Sequence, residues 1–464
     1  MTSITPQAIG QQLDAAPLGA FHRRLLALIA AGMFFDSFDI YIAGSVLAAL
    51  TASGESTLAL NAAFVSVTFA GMMVGAWLAG VVGDRYGRRF AYQFNLLLYG
   101  GASLAAAFAP NMQWLIGLRL IMGIGMGAEI VIGYATLAEF IPATHRGKFG
   151  SLLNLIINSS LFFATFLGWL IIPHYGWRWM FAIAGVGALA IWFIRRRMPE
   201  SPRWLASQGR LQEAEAIVRR ITPQRGAALP ANPPGQPLAR APLPASRLRD
   251  LFAPGQRART LTGITVLVVL FTVNYAFVSW MPSFLVKEGK SVSASLGLTS
   301  AMFAGGPVGS LIAFALVERL GRKAGLVLFS IIGMALGCLY PFMPAPYGII
   351  ATGFAITSVI YVLSSLSVAI YVPELFPTHL RLRGAGLCNA LGRATNIVVP
   401  YAIAGLFAGF GIAGVLALIV GALLLQAVVV GVFGVETKNR GLGVFNDEAP
   451  APAPKPAGSP IEHL

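Results

Sequence analysis

Asp84-Arg85-Tyr86-Gly87-Arg88-Arg89 returns 234 residues later as Glu318-Arg319-Leu320-Gly321-Arg322-Lys323. An acid, a base, a glycine and two further bases in that order have no packing reason to recur, and their surroundings recur with them. Upstream, Ala70-Gly71-Met72-Met73-Val74-Gly75 matches Ala304-Gly305-Gly306-Pro307-Val308-Gly309 at the same offset of 234. Downstream, Glu139 followed by Arg146 matches Glu374 followed by Arg381 at an offset of 235. Pro199-Glu200-Ser201-Pro202-Arg203 closes the first copy as Val435-Glu436-Thr437-Lys438 closes the second. Matches in one order at nearly one offset make the chain two repeats.

Each repeat is too apolar for water. Of 464 residues, 56% are apolar and 11% are charged, less than half the roughly 25% charge of a soluble domain. That deficit excludes an ordinary soluble enzyme and a disordered chain. About 20 apolar residues cross the hydrocarbon core as a helix, and twelve such runs are present. They cover 24–50, 60–82, 91–109, 112–140, 150–173, 177–194, 260–285, 294–318, 324–343, 347–372, 384–410 and 412–434. They are too long for barrel strands and lack period-two alternation, so they are helices. The expected fold is an all-α integral membrane protein of twelve transmembrane helices in two six-helix, pseudo-symmetric halves. The expected organisation is a tail (1–23), a first half (24–194), a central loop (195–259), a second half (260–434) and a second tail (435–464). No cleavable signal peptide is expected, because residues 1–20 are polar and the first apolar run is span-length.

The net charge of +15 is explained by topology. Of the 33 basic residues, 28 fall on the side of the N-terminus and three (Arg178, Lys287, Lys290) on the other. Even without the long central loop the bias is fifteen against three, which puts both termini and the central loop in the cytoplasm. No folded basic domain is left to bind nucleic acid. In the central loop, Leu205–Ile221 reads as an amphipathic helix and 229–244 as a Pro/Ala-rich linker. The tail from Asn446 is low-complexity. Cys338 and Cys388 both lie in apolar runs and build no disulfide framework. Five scattered histidines offer no metal set, and no cofactor is expected.

Charges within the spans are costly, about 2.5–3.5 kcal/mol each at a helix centre on insertion scales, and so ask for a partner or a cavity. Five stand out: Asp36, Asp39, Arg119, Glu129 and Arg393. Asp36 and Asp39 share a face of the first helix, and two close carboxylates form a candidate proton site, with Glu129 as a third member. The alternative for the aspartates is an ion pair to Arg393 or Arg119. Arg119 and Glu129 are about 15 Å apart along one helix and cannot pair. Arg393 matches a substrate carboxylate bidentately. Arg119 is a structural or substrate residue. Aromatic side chains at Phe38, Tyr41 and Tyr275, with the amides Asn274, Asn389 and Asn396, complete the candidate substrate set. Gly123-Ile124-Gly125-Met126-Gly127 is a helix-packing run and not a dinucleotide loop, since no strand precedes it.

Gly80-x-x-x-Asp84-Arg85-x-Gly87-Arg88-Arg89, Pro199-Glu200-Ser201-Pro202-Arg203 and Val435-Glu436-Thr437-Lys438 resemble the signature set of the major facilitator superfamily, most of all its sugar-porter-like branch. Asp36-Ser37-Phe38-Asp39 resembles the first-helix motif of aromatic-acid:proton symporters. The fourth-helix run through Gly127-Ala128-Glu129, and Gly392-Arg393 with Pro400, resemble bacterial niacin-type transporters. The resemblance implies solute transport by a monomer without enzymatic chemistry. It also implies a cytoplasmic gate of Asp84, Arg85, Arg88, Glu139, Arg146, Glu200, Glu318, Arg322, Glu374, Arg381 and Glu436. The leading expectation is proton-coupled uptake of a small organic or aromatic carboxylate through a bacterial inner membrane, by rocking of the two halves. A sugar or polyol transporter is the alternative, supported by Pro199–Arg203 and Trp177-Arg178-Trp179. An exporter of drug-like compounds or a non-transporting sensor comes third.

Overall fold

The computed structural model describes residues 9–10, 12–13, 16–142, 145–196, 198–221, 248–344, 346–376 and 380–437. The linker 229–244 and the tail from Asn446 lie outside them, as do the side chains of Asp84, Arg146, Glu318 and Arg381.

The first half is six long helices: α1 (Ala20–Ala52), α2 (Leu58–Tyr86), α3 (Arg88–Ala106), α4 (Met112–Phe140), α5 (Arg146–Tyr175) and α6 (Arg178–Arg195). Two short helices follow, α7 (Pro202–Ser207) and α8 (Leu211–Ile221). Their apolar residues Leu205, Ala214 and Val218 are buried with Ile9 and Leu13 of the N-terminal segment and with Phe140. The second half runs through α9 (Arg257–Val278), α10 (Met281–Lys287), α11 (Val292–Phe303), α12 (Gly305–Leu320) and α13 (Arg322–Leu339). It continues with α14 (Tyr347–Ser364), a π-helical stretch (Ser365–Tyr371), α15 (Val372–Glu374) and α16 (Arg381–Phe433). The described residues hold no strand, in keeping with backbone groups that must be satisfied within each segment.

Three departures from simple spans are visible. The seventh span breaks between α9 and α10, and the eighth at Ala304 between α11 and α12. The last two spans are continuous in α16 except at Gly411, whose φ of 63° turns the chain back where no side-chain-bearing residue sits comfortably.

Helix starts differ between the two ends of the bundle. At one end, α2, α4 and α11 are capped by Thr57, Asn111 and Ser291, each accepting a backbone N–H three residues on, at 3.0–3.2 Å. At the other, which we call the basic end, α3 and α13 begin after Gly87 and Gly321, at φ 94° and 84°, and these glycines bring no side-chain cap. Close helix contacts also repeat. Gly75 lies against the backbone of Ile124 on α4, and Gly309 against that of Ser358 on α14, where any Cβ would collide.

The halves meet through the middle of the bundle and towards the end opposite the basic one. The Tyr361 hydroxyl donates to the Tyr41 hydroxyl at 2.7 Å. Phe69 meets Tyr275 edge to face at 4.5 Å. Gly44 abuts the Ser279 carbonyl, and the Asn158 amide donates to Ser310 at 3.1 Å. Of these contacts the Asn158–Ser310 bond lies nearest the basic end.

Candidate functional site

At the basic end the two glycine-started helices are capped from a distance. Glu200 accepts the N–H groups of Arg88 at 2.9 Å and Arg89 at 3.2 Å, and Glu436 those of Arg322 at 2.8 Å and Lys323 at 3.0 Å. A carboxylate there satisfies orphan donors and meets the positive end of the helix dipole. The same arginines reach the far end of the fourth span of each half. Arg88 bonds Glu139 at 3.0 Å, and Arg322 bonds Glu374 at 3.2 Å, with Thr437 donating to Glu374 at 2.5 Å. Six of the expected gate residues are thus brought together as two equivalent sets, each within its own half. Arg85 is exposed and lies over the Tyr86 ring.

Inside the first half sit three acids and two bases. Arg119 donates to the Asp39 carboxylate at 2.5 Å and to the Asp39 carbonyl at 3.0 Å, between the rings of Phe64 and Phe181. Ser103 donates to the other carboxylate oxygen at 3.2 Å. Neither charged side chain of this pair is exposed. Glu129 accepts from Arg195 at 2.6 Å, and Arg195 also donates to the carbonyls of Leu28 and Ile29 on α1. Between the pairs lies Asp36. It is fully buried, its charged neighbours are Glu129, Arg195 and Asp39, and neither of its carboxylate oxygens has a hydrogen-bond partner.

Among the described residues the second half carries one charge at this depth, Arg393 on α16. It is half-buried, its guanidinium lies 5.5 Å above the Phe271 ring, and it faces Tyr275 of its own half and Tyr134 of the other. Tyr134 is 39% exposed. Among the described residues no carboxylate stands within 4 Å of Arg393. A guanidinium over the face of Phe271 at the seam between two halves, with no carboxylate partner among the described residues, can bind a planar anion at its charge.

The other expected substrate residues scatter. Tyr41 accepts from Tyr361 and is also bonded by the Asn274 amide, so both lie at the seam. Asn396 stands one turn from Arg393, buried with neither amide atom bonded. Asn389 donates to its own helix at Ala385, 3.0 Å away. Phe38 is packed within the first half beside Phe34 and Phe35, 1% exposed. The sequence reading counts five charges in the spans, and the structure adds a sixth. Arg195, expected to open the central loop, instead ends α6 and is 1% exposed. Its signal is helical phase: Phe181, Ala184, Ala188 and Arg195 continue one buried face.

The profile of the family described as "Sugar (and other) transporter" matches residues 25–448. The chain is 37% identical to the inner membrane metabolite transport protein YdjE of Escherichia coli, over 93% of this chain and 96% of that one. It is 32% identical to the niacin transporter NiaP of Acinetobacter baylyi, over 93% and 98%. In fold it is similar to the partially occluded, inward-open xylose transporter XylE of E. coli, with a TM-score of 0.67 at 20% identity over 91% and 100%. A repeat of six helices, duplicated motif ends and a family match across nearly the whole chain converge. The chain belongs to the sugar (and other) transporter family of the major facilitator superfamily and is a multi-pass secondary transporter of small molecules, not an enzyme.

Proposed function

We propose that the chain takes up a small organic acid, aromatic carboxylates included, together with a proton, and that the basic end faces the cytoplasm. The observation that carries the reading is Arg393, a membrane-depth guanidinium with no carboxylate partner among the described residues and with Phe271, Tyr275 and Tyr134 about it. A cation left unpaired at that depth is costly unless its partner arrives as cargo. The Lys/Arg bias supports the orientation, and the niacin transporter among the relatives carries an aromatic carboxylate class into view. Asp36 supplies the proton site. Two arginines already neutralise Asp39 and Glu129, so the third buried acid is stable only as the uncharged carboxyl. Contacts between the halves hold the outer side closed, and the cargo leaves past Tyr134 towards the basic end.

The test is uptake by proteoliposomes under an inward pH gradient with radiolabelled nicotinate, benzoate and xylose. The carboxylates accumulate, and Arg393→Ala weakens their transport by about 2–5 kcal/mol, at least roughly 30-fold. Accumulation of xylose alone, or unchanged carboxylate uptake in Arg393→Ala, overturns the reading.

A further inference from the structure

The pairing of Arg195 leaves one feature that neither the fold nor cargo binding uses. Four hydrogen bonds engage this guanidinium: Nε and Nη2 donate to the Leu28 carbonyl at 2.9 and 2.6 Å, Nη2 to the Ile29 carbonyl at 3.0 Å, and Nη1 to Glu129 at 2.6 Å. A guanidinium has five N–H groups. The second N–H of Nη1, on the side of Glu129, has no acceptor among the described residues. Glu129 in turn keeps one oxygen unbonded.

Gly32 explains how this group fits. A Cβ at Gly32 would run into the Arg195 guanidinium and the Glu129 carboxylate, so the pair occupies the notch that the missing side chain leaves in α1. Asp36 is one turn further along the same face, and side chains on a helix lean back towards its N-terminus, here towards the notch. The charged and titratable groups about Asp36 are Glu129 from α4, Arg195 from α6, Tyr99 from α3, whose hydroxyl donates to the Phe35 carbonyl at 2.8 Å, and Asp39 with its partner Arg119. Both cations have a donor to spare, the Nε–H of Arg119 included, but Arg119 turns to Asp39 at both its carboxylate and its carbonyl, and Arg195 is the cation that stands with Glu129 among the charged neighbours of Asp36.

Building on Asp36 as the proton site, we infer that Arg195 is its positioning counter-ion: when Asp36 gives up its proton, the free Nη1–H donates to the new carboxylate, and Arg195 bridges Glu129 and Asp36 across the Gly32 notch. The proton leaves to water, and no bond other than O–H is broken. Because Arg195 also holds the Leu28 and Ile29 carbonyls, the bridge pulls the middle of α1 towards α4 and α6, and so ties the protonation of one carboxyl to the position of a helix at the seam.

The experiment is infrared titration of the purified full-length protein, following the C=O band of protonated buried carboxyls. It needs no substrate. A component of the band that vanishes in Asp36→Asn belongs to Asp36. Arg195→Lys keeps the charge and loses the fork, and the midpoint of that component moves to higher pH. Glu129→Gln frees Arg195 for Asp36, and the midpoint moves to lower pH. Each shift is about one pH unit, and the opposite signs are the signature. Gly32→Ala, which pushes the pair out of its notch, gives the same sign as Arg195→Lys and stands in for it should that variant not fold. A midpoint that neither Arg195→Lys nor Gly32→Ala moves overturns the role of Arg195 and leaves Asp36 as the proton site. Absence of any component lost in Asp36→Asn overturns the proton site itself.

Discussion

The two halves agree at their basic ends and part company inside. Glu200 and Glu436 cap equivalent helices, and Arg88 and Arg322 reach equivalent glutamates, almost atom for atom. In the membrane interior the first half encloses Asp36, Asp39, Arg119, Glu129 and Arg195, while among the described residues the second offers Arg393. The positions matching Asp36 and Asp39 by the repeat offset are Phe271 and Asn274. Duplication preserved what each half needs to hold its own loops, and left the ionic chemistry in single copy. The proton site proposed in one half and the anion site proposed in the other suit a machine whose halves move against each other.

The sharpest way to break this comparison lies three residues apart on one helix. Asp39→Asn leaves Arg119 charged and unpaired in the core, a loss of about 3–5 kcal/mol. Thermal unfolding in detergent falls accordingly and recovers in part when Arg119→Gln is added. Asp36→Asn replaces a neutral carboxyl by a group of equal shape. It keeps its unfolding temperature, within about 1 kcal/mol of stability, and loses pH-gradient-driven accumulation of nicotinate. If the two variants behave alike, Asp36 is no different from its neighbour and the first half holds no proton. The smallest effect sharpens the likeness of the two ends. Glu200→Gln and Glu436→Gln each cost about 1 kcal/mol as lost helix caps, and the two unfolding shifts agree. Unequal shifts would mean that one end bears load which the other does not.

What could be read in the sequence follows from what leaves a periodic trace. Spans and repeat did, because length and spacing determine them locally. The motif geometry was legible as a repeat of acids and bases before any contact was known. Arg195 was hidden by its surroundings: in Arg195-Arg196-Arg197 it looks like one more loop cation, and only the face shared with Ala188 separates it from Arg196. The partner of Asp39 was one of two candidates in the sequence, and three-dimensional proximity chose Arg119. Phe38 illustrates the opposite error of reading, since an aromatic residue beside two acids proves to be packed among phenylalanines of its own helix.

The π-helical stretch Ser365–Tyr371 has a bearing on how such a duplicated chain tolerates change. Between the glycine motifs the copies are 234 residues apart, and at Glu139 and Glu374 they are 235 apart. A wider turn is the way a helix swallows an odd residue without losing its axis, so Glu374 still arrives at Arg322 with its count out by one. Removing a single residue from Ser365–Tyr371 would therefore wind the segment back to ordinary pitch and leave Glu374 facing Arg322, as Glu139 faces Arg88 at the end of an uninterrupted α4, whereas a deletion elsewhere in α14 would rotate Glu374 by about 100° away from its arginine.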